Sequence, residues 1–149
     1  MSKKSESFQR GVEWVETVLV PAVKRADDEM RGLGAALRPD LNLDRRSTNH
    51  PHCDFWFVQT ECPSGQSYDG PKYSINVTAD CEVRLYKSGA PGRVLGVTNA
   101  VGPNQVRELL LRGRQRIRDA LSRRVTVRRF PRRAPALSRA EPPDLLAAF

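Results

Sequence analysis

Asn49-His50-Pro51-His52-Cys53 gathers both histidines and one of the three cysteines within five residues, the raw material of a zinc site or a thiolate-imidazole pair. The spacing argues against zinc. Structural zinc usually begins with two ligands two to four residues apart, answered by a second such pair. Cys62 and Cys81 form no second pair. Cys53 and Cys62 also bracket an extended segment that would hold them about 30 Å apart. Catalysis meets a similar obstacle, because adjacent residues on a strand face opposite ways, so only His50 would reach the Cys53 thiol. The carboxylates Glu61, Asp69, Asp80 and Glu82 show no pairing, and neither a glycine-rich phosphate loop nor Gly-x-Ser-x-Gly occurs. The sequence therefore reads as a non-enzyme without metal or cofactor.

Arginine is the other residue type that could do chemistry. Residues 1–100 hold 13 basic and 13 acidic groups, whereas residues 101–149 hold 12 arginines against Glu108, Asp119, Glu141 and Asp144, so the net charge of +8 is all in the last third. Arginine outnumbers lysine 20 to 5, a bacterial-like composition that GC-rich coding favours, but codon usage does not explain the clustering. At about 100° per residue, Arg107, Arg114 and Arg118 share one flank of a helix with no acid among them. On the other flank Glu108 can pair with Arg112, and Asp119 with Arg116 or Arg123. The open flank is continued by Arg123, Arg124, Arg128, Arg129, Arg132 and Arg133. Permanently charged bidentate donors in a row are what phosphate binding needs, and their plain alternative is a solvated helix face with a solubilising tail. Only Phe130 interleaves them, which is thin for a platform that stacks single-stranded bases.

Protein contact is the second class of function. The strand DFWFVQT is apolar on both sides, with Phe55 and Phe57 on one and Trp56 and Val58 on the other, so it should be covered twice or lie at an interface. The final DLLAAF could dock a partner through Leu145, Leu146 and Phe149 or fold back on its own domain.

The elements that must position these residues follow from periodicity. From Phe8 to Leu37 apolar residues recur every three or four positions, which predicts a long N-terminal helix kinked or divided near Val20 by Pro21. Gly32 and Gly34 offer left-handed caps. Residues 38–52 read as turns, with Leu41 and Leu43 compatible with a short edge strand. Four strands then follow at DFWFVQT, Tyr73 to Thr78, EVRLYK and RVLGVTN, the last two joined by the hairpin loop SGAPG. Pro103 and Asn104 start a C-terminal helix whose stripe is Val106, Leu109, Leu110, Gly113, Ile117, Ala120 and Leu121. The expected fold is α+β: a long N-terminal helix, a four-stranded antiparallel meander and a basic amphipathic helix. Residues 1–122 form the domain and 123–149 an Arg/Pro-rich tail, in which RVTV could pair as an edge strand.

A chain of 149 residues suits one domain, and 39% apolar with 28% charged residues argues against wholesale disorder. The start MSKKSESFQR is charged, no leader is expected, and the odd set of cysteines reads as reduced cytoplasmic thiols. The longest apolar run, VLVPAV, falls far short of the roughly 20 residues that span a bilayer, so no membrane partner is expected. The first expectation is a non-catalytic accessory protein that binds nucleic acid or another polyanion through C-terminal arginines. The second is a protein-protein adaptor, assembly component or homo-oligomer that uses strand 55–58 and DLLAAF.

Overall fold

In a computed structural model of the chain, residues 2–59, 68–69 and 72–128 are described. Lys3–Trp14 form helix α1, Val15–Leu19 a π turn, and Val20–Arg31 helix α2. The π turn answers Pro21. Proline cannot donate to the Thr17 carbonyl, and the Val20 N–H reaches back five residues to Val15, so the helix widens by one residue just before it. Across that joint α1 presents Gly11 and Trp14 to the body of the protein, and the Trp14 indole donates to the Val101 carbonyl at 3.1 Å. A Cβ at Gly11 would lie 2.6 Å from Pro51 Cγ, so only glycine allows this approach.

The periodicity that extended the first helix to Leu37 overran its end. Helix α2 stops at Arg31, Gly34 takes the left-handed conformation at φ 76°, and Ala35–Asn42 form a full strand, β1. Leu37 suits either period. In β1 the buried Ala35 and Leu37 face the core while Arg38 to Leu41 are exposed. The structure thus replaces four strands with a five-strand antiparallel path: β1, β2 (His52–Gln59), β4 (Tyr73–Val77), β5 (Glu82–Lys87) and β6 (Arg93–Val97). A two-residue strand, β3 (Tyr68–Asp69), pairs with Val58 and Gln59 beyond the stretch of β2 that β4 occupies. Pro39 sits on edge strand β1, where a missing N–H is tolerated. The SGAPG hairpin forms as expected, with Gly89 at φ 79° and Ala90 donating to Lys87.

The helices pack on one face of the sheet. Alternate strand residues Leu37, Cys53, Phe55, Phe57, Tyr73, Ile75, Val77, Val83 and Leu85 join Val15, Leu19, Ala22, Ala26 and Met30 in a single apolar core. Phe55, Phe57 and Tyr73 form its aromatic centre, with ring centroids 5.8 to 6.1 Å apart. Helix α3 (Pro103–Arg128) closes the core with Val106 and Leu110, both about 1% exposed. It continues past Ser122, so the RVTV segment is helical rather than an edge strand. Once a helix is nucleated each further residue adds a bond, and arginine is a good helix former. Among the described residues no helix is long and apolar enough to cross a membrane.

Candidate functional site

Helix α3 lies against α2, and that packing reassigns the arginine flank. Arg107 makes a two-pronged contact with Glu29 of α2, Nε to Oε1 at 2.5 Å and Nη2 to Oε2 at 3.0 Å. That hydrogen bond, with the guanidinium charge, holds the Glu29 carboxyl below its ordinary value against the opposing effect of burial. Arg114 is 6% exposed, and its Nη2 donates to the Leu33 carbonyl at 2.7 Å. Leu33 lies just past the end of α2, so Arg114 ties the turn after that helix to α3 and sets a cation near the α2 C-terminus, where the helix dipole favours one. The expected open row of Arg107, Arg114 and Arg118 is therefore corrected at its first two members, which are structural. Projection of one helix could not show this, because both partners lie some 80 residues away in sequence, on α2 and its terminus.

The opposite flank behaves as expected at Arg112, whose Nη2 lies 3.9 Å from Glu108. Asp119 accepts from Gln115 Nε2 at 3.0 Å. Arg116 is exposed. Arg118, Arg123, Arg124 and Arg128 are backbone positions on α3, while Arg129, Arg132 and Arg133 lie outside the described residues. From Gln115 onward the sequence holds nine arginines against three acids.

The histidine cluster resolves into a polar network on the sheet face away from the helices. His52 Nδ1 lies 2.8 Å from the His50 carbonyl, which can only accept, so Nδ1 carries a proton. Its Nε2 faces Asp54 Oδ1 at 3.9 Å, and Lys72 Nζ meets Asp54 Oδ2 at 2.6 Å. Burial raises the Asp54 pKa, but hydrogen bonds from Lys72 and Ser74 and the nearby His52 outweigh it, and the carboxyl is held below its ordinary value. Cys53 points the other way, into the core, as alternation predicts. Burial pushes its thiol up to about 12, assisted by Asp54 and Asp40 and opposed by an Asp40 backbone hydrogen bond, so at neutral pH it is not a thiolate nucleophile. Cys62 lies outside the described residues, among which no three His, Cys, Asp or Glu side chains gather as metal ligands.

The described charges of this outer face are balanced. Among the residues whose side chains are described, Asp40 stands opposite Asp54 in register, Arg38 opposite Trp56, and Arg84 bonds Glu82 at 2.6 Å, so three cations (Arg38, Lys72, Arg84) are matched in number by three carboxylates. Strand 55–58 is also not an edge, because β2 is flanked by β1 on one side and by β4 and β3 on the other, which closes it to strand addition. Trp56 is half-buried on the outer face, Val58 is 4% exposed beside it, and Leu145, Leu146 and Phe149 lie outside the described residues. Between α2 and β1 a cleft of about 190 Å³ is lined by Val20, Val23, Lys24, Pro39, Leu41 and Cys53. Compared with known proteins, the chain matches no family model, no curated protein and no solved structure.

Proposed function

We propose that the chain is a non-catalytic accessory protein that binds nucleic acid through the arginines following Gln115. One observation carries this reading: the arginines of α3 before that point are engaged within the domain, by Glu29, Glu108 and the Leu33 carbonyl, whereas the sequence after it holds nine arginines against three acids. Support also comes from the described charges of the outer sheet face, where three cations are matched by three carboxylates. Binding of this kind rests on phosphate contacts and counterion release, so it is steeply salt-dependent and weakly selective for sequence. Mobility shifts of DNA and RNA across a salt series test it, comparing the full chain with one ending at Gln115. The full chain should shift nucleic acid at low salt and the shortened chain should not. Absence of any shift by the full chain at low salt would sink the proposal, and full retention by the shortened chain would move the site elsewhere.

A further inference from the structure

Clustered arginines can act as a flexible polycation or as a shaped surface, and the two suit different nucleic acids. Helix α3 is unbroken from Pro103 to Arg128. Its first half is fixed to the domain by the buried Val106 and Leu110, by the Arg107–Glu29 pair and by the Arg114–Leu33 bond. At 1.5 Å per residue, positions 115–128 make a helical segment about 20 Å long. Gln115, Arg116 and Asp119, at its start, are exposed. With about 100° between successive residues, Arg116, Arg123, Arg124 and Arg128 occupy positions within an arc of about 140°. The segment, QRIRDALSRRVTVR, contains no aromatic residue and one acid.

These features discriminate among nucleic acids. Single strands are bound without sequence preference by stacking bases on aromatic rings, which this segment lacks. The major groove of A-form duplex RNA is too deep and narrow for side chains to enter, whereas that of B-form DNA is about 12 Å wide and admits an α-helix. We infer that residues 115–128 bind duplex DNA as a preformed helix lying along the major groove, its four-arginine arc meeting the phosphates, rather than as a flexible cationic tail. The inference rests on the proposed function. A helix already formed before binding avoids much of the ordering cost that a disordered segment meets on the DNA. Four phosphate contacts from the arc set a slope of log affinity against log salt of about −3.6, made steeper by any further contacts.

Ser122→Pro in the full chain separates shape from charge. It removes a backbone donor in the middle of the segment, clashes with the preceding turn and leaves every arginine in place. Ser122→Ala preserves the helix. Binding is measured by fluorescence anisotropy at about 0.1 M salt with a fluorescent DNA duplex of about 20 base pairs, longer than the segment at about 3.4 Å per pair. A matching RNA duplex and a DNA single strand serve as the other probes, and thermal unfolding reports on the domain. The expected result is duplex DNA affinity reduced by about ten- to a hundredfold in Ser122→Pro, the scale set by a proline inside a helix. Ser122→Ala should bind as the parent does, and the unfolding of the domain should be unchanged in both. Arg123→Glu combined with Arg124→Glu keeps the helix and reverses charge, so its loss of binding supports the proposed function, while the contrast between Ser122→Pro and Ser122→Ala carries the helical shape. Equal binding of duplex DNA by Ser122→Pro and the parent, or equal binding of RNA duplex or single strand, overturns the helical-arm inference and leaves the proposed function standing. Failure of the parent to bind any of the three probes overturns both.

Discussion

The two halves of α3 are both rich in arginine, and the first is tied into the domain. Between Pro103 and Arg114 every arginine has an intramolecular partner: Arg107 meets Glu29, Arg112 meets Glu108, and Arg114 meets the Leu33 carbonyl. Between Gln115 and Arg128 there are five arginines and a single acid, whose carboxylate accepts from Gln115. Two of the three partners of the first half come from α2 and the turn after it. That helix supplies the Glu29 carboxylate, and the turn just past its end at Arg31 supplies the Leu33 carbonyl. Arginines along one helix therefore cannot be counted as open charge until the neighbouring helix and its terminus are known.

That contrast can be broken at several points. The largest effect belongs to the first half, where Leu110→Ala should cost about 2–5 kcal/mol in urea unfolding, because a side chain about 1% exposed leaves a cavity. Arg114→Met should cost about 2 kcal/mol, through the missing charge-assisted bond to the part-buried Leu33 carbonyl, while Arg114→Lys should recover part of it. If Arg114→Met unfolded like the parent and instead weakened DNA binding, Arg114 would belong with the second half and the contrast would collapse. Arg123→Ala with Arg124→Ala should leave stability within about 0.5 kcal/mol. The same pair should flatten the salt slope by about 0.9 for each phosphate that is no longer neutralised. The smallest effect is acid-dependent. Arg107 depresses the Glu29 pKa in the folded state, so the stabilisation is present above the ordinary carboxylate value of about 4.3 and is lost as pH falls through the lower folded value. Glu29→Gln should flatten the acid limb of stability in an unfolding series across that window. An unchanged acid limb would mean that the pair contributes nothing.

Elements with one dominant period were legible in the sequence. Tyr73, Ile75 and Val77 alternate cleanly and are all buried; Val106 and Leu110 mark the face of α3 that packs; Pro21 announced the interruption before α2. Strand β1 was not legible, because Leu37 continues a helical period as well as it begins an alternation, and Pro39 looks like a turn until the strand is known to be an edge. The continuation of α3 through Val125 and Val127 was obscured by residues that alternate like a strand, and was decided by the helix preceding them. In the candidate site the clustering of arginine could be read directly. The engagement of Arg107 and Arg114 could not, since it depends on how two distant helices meet.

The widened turn at Val15–Leu19 acts as a phase shifter between two rods. An extra residue in a turn rotates everything before it by about 100° about the helix axis relative to everything after. Removing one residue from this turn would restore an even helical pitch and swing Gly11 away from Pro51 and Trp14 away from the Val101 carbonyl, leaving a bulkier surface against the sheet. The loop that launches α3 is thus indexed to the N-terminal helix by the length of five residues. Deletions in this short stretch should be tolerated far less well than substitutions at the same positions.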